Sequence, residues 1–110
     1  MPQSEKYLAG YGLYPGIQLA GFKLSNVHAG HEMITRYREY RYPTTMIWTS
    51  EGGNANLLLQ TLNQYFATPR RIFSEYNNPY ECVFGQISLV QNTGSQITLG
   101  ANGICRRVYQ

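Results

Sequence analysis

The segment NANLLLQTLNQYFA, residues 54–67, contains the clearest periodic signal in the chain. Its apolar side chains recur every three to four residues, at Leu58, Leu59, Leu62, Tyr65 and Phe66. This spacing is typical of one face of an α-helix, and Asn54 is a residue type that caps helix N-termini. Because Pro69 cannot continue the segment, we predict an amphipathic helix that ends near Ala67 and packs on a core.

A second amphipathic helix is predicted upstream, from Val27 to about Arg41. On a helical projection one arc carries Ala29, Gly30, Met33, Ile34, Tyr37 and Tyr40. Ser25-Asn26 is a candidate N-cap. Pro43 should end the helix, because proline pushes the preceding residue out of the helical region.

Extended segments surround both helices. Residues 17–24 and 44–49 have the alternation or the β-branched and aromatic content of strands. Further strands are predicted at 81–90, 96–99 and 104–109, with turn signals at Asn92-Thr93-Gly94-Ser95 and at Asn102-Gly103. The order β-α-β-α-β-β-β indicates an α+β domain over residues 17–110, with two helices on one face of a four- or five-stranded, mainly antiparallel sheet. Residues 1–16 should form an irregular Gly/Tyr-rich arm.

Composition limits the possible functions. The 110 residues include nine Lys or Arg, six Glu and no Asp, which gives a net charge of +3. The length suits one domain, and no apolar run is long enough to span a membrane. Mg²⁺ and Ca²⁺ sites depend heavily on Asp, and a Ser-His-Asp triad is impossible here. We therefore expect no cofactor, no metal and no membrane partner.

The two cysteines, Cys82 and Cys105, begin and end the predicted C-terminal strands. They lack CxxC spacing, so they do not indicate a zinc site. The N-terminal residues show no secretory pattern, and on that basis we expect a cytoplasmic protein whose thiols stay free in a reducing environment. Pairing of the two strands would nonetheless bring the sulfurs close.

The string His28-Ala-Gly-His31-Glu32 contains the secondary candidates for catalysis. Two histidines three residues apart can share a metal, and a glutamate can act as a base. The string is neither HExxH nor HxxEH, and no third ligand has supporting spacing. His28, His31 and Glu32 therefore support only the third of our hypotheses, a small hydrolytic or RNA-cleaving enzyme.

Arginines occur among tyrosines or in pairs. Interleaved Arg and Tyr can contact phosphates and stack on bases, which makes a nucleic-acid or nucleotide binding protein our alternative hypothesis. Its candidate residues are Arg38, Arg41, Arg70, Arg71, Arg106 and Arg107.

The leading hypothesis is a non-enzymatic protein-interaction or assembly module, either a homo-oligomer or a small subunit. The chain is poor in charge and rich in amides and tyrosines, a composition that favours contact with a partner protein. The arm would supply Tyr7, Tyr11 and Tyr14 as anchors. A sheet edge with few lysines would also invite strand addition or dimerisation.

Overall fold

The computed structural model describes residues 8–30, 32–34, 39–73 and 79–108. These residues are mostly β, with one long helix and a curled antiparallel sheet. The expected α+β arrangement, with two helices on a four- or five-stranded sheet, is therefore wrong. The error arises in the predicted first helix, because residues 27–29, 32–34 and 39–41 are strands.

All the strands in the described part of the chain belong to one sheet. They are β1 Gln18–Leu19, β2 Phe22–Ala29, β3 Glu32–Ile34, β4 Glu39–Ser50, β5 Arg70–Phe73, β6 Pro79–Phe84, β7 Ser88–Thr93 and β8 Gln96–Arg107. The order across the sheet is β1-β2-β4-β8-β6-β5, with β3 also on β4 and β7 also on β8. The two twelve-residue strands, β4 and β8, are therefore its centre.

Two shorter strands lie end to end along each outer side of this centre. β2 pairs with residues 44–50 of β4, and β3 pairs with residues 39–41. On the other side, β7 pairs with residues 96–100 of β8, and β6 pairs with residues 103–107. The break between β2 and β3 and the break between β6 and β7 lie at the same level of the sheet. At these breaks the Gly30 N–H donates to the Pro43 carbonyl and the Gly85 N–H to the Asn102 carbonyl, each at 2.7 Å, and Pro43 and Asn102 are opposite each other in the register.

Residues 27–29 and 39–41 are strands because pairing with β4 and β8 overrides the helical pattern. Val27 lies opposite Met46, His28 opposite Thr45 and Ala29 opposite Thr44. Pro43, which was expected to end a helix, lies in the middle of β4 opposite Asn102. In an antiparallel strand the N–H and the carbonyl of one residue point to the same side. The Pro43 carbonyl points to the break between β2 and β3, so the position that lacks an N–H is one where no strand residue needs to accept from it.

The helix predicted from residues 54–67 is confirmed as α1, Ala55–Ala67. The Asn54 side-chain oxygen accepts hydrogen bonds from the amides of Asn56 and Leu57, at 2.8 and 3.4 Å, and so caps the first turn. Leu58, Leu62 and Phe66 are its buried residues. They pack against one face of the sheet, in the core that also contains Met46 and Trp48.

The first described residues complete this core. A helical turn at residues 8–10 is followed by tight turns, and Leu8, Tyr11 and Leu13 are buried. The Tyr11 ring contacts both Phe66 and Phe84, with centroids 5.3 and 4.9 Å apart. Leu8, Tyr11 and Leu13 therefore contribute side chains to the core.

Cys82 and Cys105 form a disulfide between β6 and β8. They are directly opposite each other in the register, and both are buried. The expectation of free thiols is therefore wrong.

The turn predicted at Asn102-Gly103 is also wrong, because β8 continues through both residues. A Cβ at Gly103 would lie 2.6 Å from a ring carbon of Phe84. The glycine therefore allows close packing of an aromatic ring on a continuous strand.

Candidate functional site

The sheet has one face against α1 and one face that no described element covers. Along β4, the buried side chains Tyr42, Thr44, Met46 and Trp48 alternate with less buried ones. Because successive side chains of a strand point to opposite sides, Arg41, Pro43, Thr45, Ile47 and Thr49 share the other face. We call this second face the open face.

An open groove of about 560 Å³ crosses the open face at the level of the breaks between β2 and β3 and between β6 and β7. The polar side chains that line it on the open face are those of His28, Thr45, Gln86, Ser88 and Asn102, while Thr44 is buried. Pro43, Gly30 and Gly100 complete much of its floor. We call this feature the transverse groove, because it runs across the strands.

Two adjacent rows of the register form the transverse groove. One row comprises His28, Thr45, Gly100 and Ser88, which are paired in that order across β2, β4, β8 and β7. The next row contains Pro43 and Asn102 on the central strands, flanked by Gly30 and Gly85 at the two breaks. The glycines lower the surface at these points, because they carry no side chain.

The catalytic candidates are not brought together as a described site. His28 is exposed and lies opposite Thr45 in the transverse groove. Glu32 lies opposite Arg41 in the backbone register of β3, and His31 lies outside the described residues. Within the described part of the chain, no three His, Cys, Asp or Glu residues form a potential metal-binding group.

The candidate arginines are divided between the two sides of the sheet. Arg71 and Arg106 both lie opposite Glu81 in the register, and the Arg106 guanidinium is 3.2 Å from the Glu81 carboxylate. Arg41 is exposed in the neighbouring row, opposite Ile104. Across β5, β6 and β8, the basic Arg71 and Arg106 therefore lie on either side of the acidic Glu81. Arg107 is exposed at the end of β8, and Arg38 lies outside the described residues.

Arg70 has a structural environment on the α1 side. Its guanidinium lies 4.0 Å from the centroid of the Tyr65 ring, and Nη2 donates to the Tyr65 carbonyl at 3.4 Å. It therefore supplies a cation at the C-terminal end of α1, where the helix dipole favours positive charge.

The tyrosine anchors occupy three different situations. Tyr7 lies outside the described residues, and Tyr14 is 57% exposed. Tyr11 is only 1% exposed, and its hydroxyl has no hydrogen-bond partner among the described residues. Burial raises the pKa of Tyr11 well above its usual value, an effect that the nearby charge of Arg70 opposes. Tyr11 belongs to this chain's own core.

One exposed strand, β7, was not singled out from the sequence. All six residues of β7 are exposed, including Leu89 at 43% and Val90 at 64%. β7 pairs with β8 on one side, and no described strand pairs with its other side. The available signal was the stretch from Cys82 to Cys105, which contains no charged residue.

The sequence matches no protein-family model, and comparisons with curated proteins and with solved structures find no significant relative. Among the described residues, no helix has the length and hydropathy of a membrane span.

Proposed function

We propose that this protein is an assembly module that pairs with a second copy of itself through the free edge of β7. The observation that carries the proposal is an exposed six-residue edge strand without a single charge. An unpaired edge presents a row of backbone donors and acceptors, and natural proteins usually protect such edges with charged residues.

The other outer strands are poorer candidates for self-pairing. β1 has two residues and β3 has three, one of which is Glu32. β5 contains Arg70 and Arg71, so two copies joined there would bring arginines together. β7 is the longest of these strands, and two copies of it would meet without charge repulsion.

Antiparallel pairing suits a two-fold dimer, because each strand then meets the same strand of the partner copy. The register of β7 on β8 shifts between Leu89 and Gln91, so Val90 occupies a bulge. Leu89 lies opposite Leu99 in the register. Val90 lies against Gly100, because a Cβ added to Gly100 would be 2.9 Å from Cγ2 of Val90. A paired strand would therefore shield these two exposed apolar side chains from water.

The disulfide supports a non-reducing compartment as the place where the module works. Disulfides persist in oxidising environments and are rare in the cytosol. The pairing of Cys82 with Cys105 therefore argues against the cytoplasmic location expected from the N-terminal residues.

Light scattering coupled to size-exclusion chromatography tests the dimer. We expect the wild-type protein to elute with twice the mass of one chain and Val90→Lys to elute as a monomer. The substitution places two like charges close to the two-fold axis, where they repel. Leu57→Lys is the matched control, because Leu57 is an exposed apolar residue on α1, 51% accessible.

Two outcomes would overturn the proposal. The wild-type protein could remain monomeric at the highest soluble concentration, or Val90→Lys could dimerise as well as Leu57→Lys. Circular dichroism melting curves of both variants establish that each is folded.

A further inference from the structure

We propose that the transverse groove is a binding site for an uncharged, polyhydroxylated ligand, namely a short neutral oligosaccharide. Ser88 of β7 lines one end of the groove, but all the lining residues belong to one chain, so binding does not require a dimer. The inference rests on the position, the size and the side-chain chemistry of the groove.

The chemistry of the lining selects the class of ligand. Thr45 and Ser88 supply hydroxyls, and Gln86 and Asn102 supply carboxamides. These groups both donate and accept hydrogen bonds, as sugar hydroxyls do. Among the described lining residues there is no carboxylate, ammonium or guanidinium, and His28 is the one titratable side chain.

The shape of the groove suits a chain of a few sugar rings. Four neighbouring strands spaced about 4.8 Å apart give a length of about 15 Å from His28 to Ser88. The two rows are two residues apart along each strand, which gives a width of about 7 Å. The volume of about 560 Å³ lies within the range of small-molecule sites.

The architecture explains why the groove is there. Gly30 and Gly100 line the groove and carry no side chain that could fill it. An added Cβ at Gly100 would lie 2.9 Å from Val90 Cγ2, so this part of the floor requires a glycine. The exposed ring of Pro43 adds an apolar surface beside Asn102, on which the C–H face of a sugar can rest.

Two other ligand classes fit less well. An extended peptide binds a sheet through a free strand edge, whereas the groove crosses the strands over their faces. A phosphate group favours arginines or lysines, and no lining residue is of either type. Arg41 lies one row away, opposite Glu32 and Ile104 in the register.

The test is a titration of ¹⁵N-labelled full-length protein, followed by amide chemical shifts. The probes are neutral trisaccharides of glucose in α and β linkage, of mannose and of N-acetylglucosamine, with inorganic phosphate as the charged probe. We expect at least one trisaccharide to shift the amides of Gly30, Thr45 and Gly100, and phosphate to leave them unchanged.

Substitutions then locate the site. His28→Ala and Asn102→Ala should each weaken binding by about fivefold, the effect of losing one hydrogen bond. Gln96→Ala is the matched control, because Gln96 is exposed on the open face of the same strand as Asn102 but outside the groove. Its affinity should equal that of the wild-type protein.

The proposal is overturned if no neutral trisaccharide shifts these amides, or if phosphate alone does so. It is also overturned if the two groove variants bind as tightly as Gln96→Ala. Because Val90 lies against Gly100 of the groove floor, the titrations use the wild-type protein and the groove variants, and the dimer is tested separately with Val90→Lys.

Discussion

At the scale of single residues, we expect the Tyr11 hydroxyl to reduce the stability of the fold. It is buried without a hydrogen-bond partner among the described residues, next to the rings of Phe66 and Phe84. A buried polar group that lacks a partner costs about 1–3 kcal/mol. We therefore expect Tyr11→Phe to raise the free energy of unfolding at neutral pH, as measured by urea denaturation. A loss of stability would show that the hydroxyl makes a favourable contact.

The same substitution should change the response to alkaline pH. Burial raises the pKa of Tyr11 in the folded state above the value near 10 of an unfolded tyrosine. Above about pH 10 the unfolded state therefore loses a proton that the folded state retains, and the folded state loses stability as the pH rises. The wild-type free energy of unfolding should fall relative to that of Tyr11→Phe over this range. A difference that stayed constant with pH would contradict the assignment.

Arg70 and Arg71 are neighbours in sequence with opposite environments. Arg70 stacks on Tyr65 and donates to its carbonyl, whereas Arg71 is exposed on the open face. Loss of the ring contact and the hydrogen bond should make Arg70→Ala less stable by about 1–2 kcal/mol. Arg71→Ala is the matched control and should change stability by less than about 0.5 kcal/mol. Equal effects in urea denaturation would disprove a specific role for Arg70.

At the scale of elements, the disulfide joins β6 and β8, the strands that precede and follow β7 in the sequence. It links cysteines 23 positions apart and so closes a loop that would be unrestricted in the unfolded chain. For a loop of this size we expect Cys82→Ala/Cys105→Ala to lose about 3 kcal/mol in thermal or urea unfolding. A reducing agent should destabilise the wild-type protein and leave the double variant unchanged. If the variant matched the wild-type protein, the bond would contribute nothing to stability.

Element prediction succeeded where one local signal was sufficient. The leucines of α1 and the cap at Asn54 lie within fourteen consecutive residues, and that helix is confirmed. Residues 39–48 also carried a signal that was overlooked. In the sequence, Tyr40, Tyr42, Thr44, Met46 and Trp48 occupy alternate positions, so a period of two reaches into the segment that was predicted to be a helix. A helical projection hides that alternation, because Ala29, Gly30 and the tyrosines also fall on one arc.

The candidate site could not be predicted from the sequence, because it depends on register. The sequence indicated His28 as a candidate metal ligand or catalytic residue. In the structure it lines the groove together with Thr45, Ser88 and Asn102. These residues lie on four strand segments that are distant in the chain. Turn chemistry was also misleading at Asn102-Gly103, where the glycine accommodates the Phe84 ring within a continuous strand.

At the scale of the whole molecule, the fold is elongated, with extents of 44 × 22 × 20 Å and a Cα radius of gyration of 14.0 Å. Pairing through β7 would extend one sheet across both copies and keep their open faces continuous. Small-angle scattering should therefore give a radius of gyration well above 14.0 Å for the wild-type protein. Val90→Lys should return it close to the single-chain value.

The uncharged stretch between the cysteines also determines how the protein is digested. Trypsin cuts after lysine or arginine, and no such residue occurs between Arg71 and Arg106. The fragment 72–106 would therefore be released intact, with both cysteines inside it. Reduction would open a loop within this fragment without separating two peptides, so a mass spectrum would record the bond only as the mass of two hydrogens.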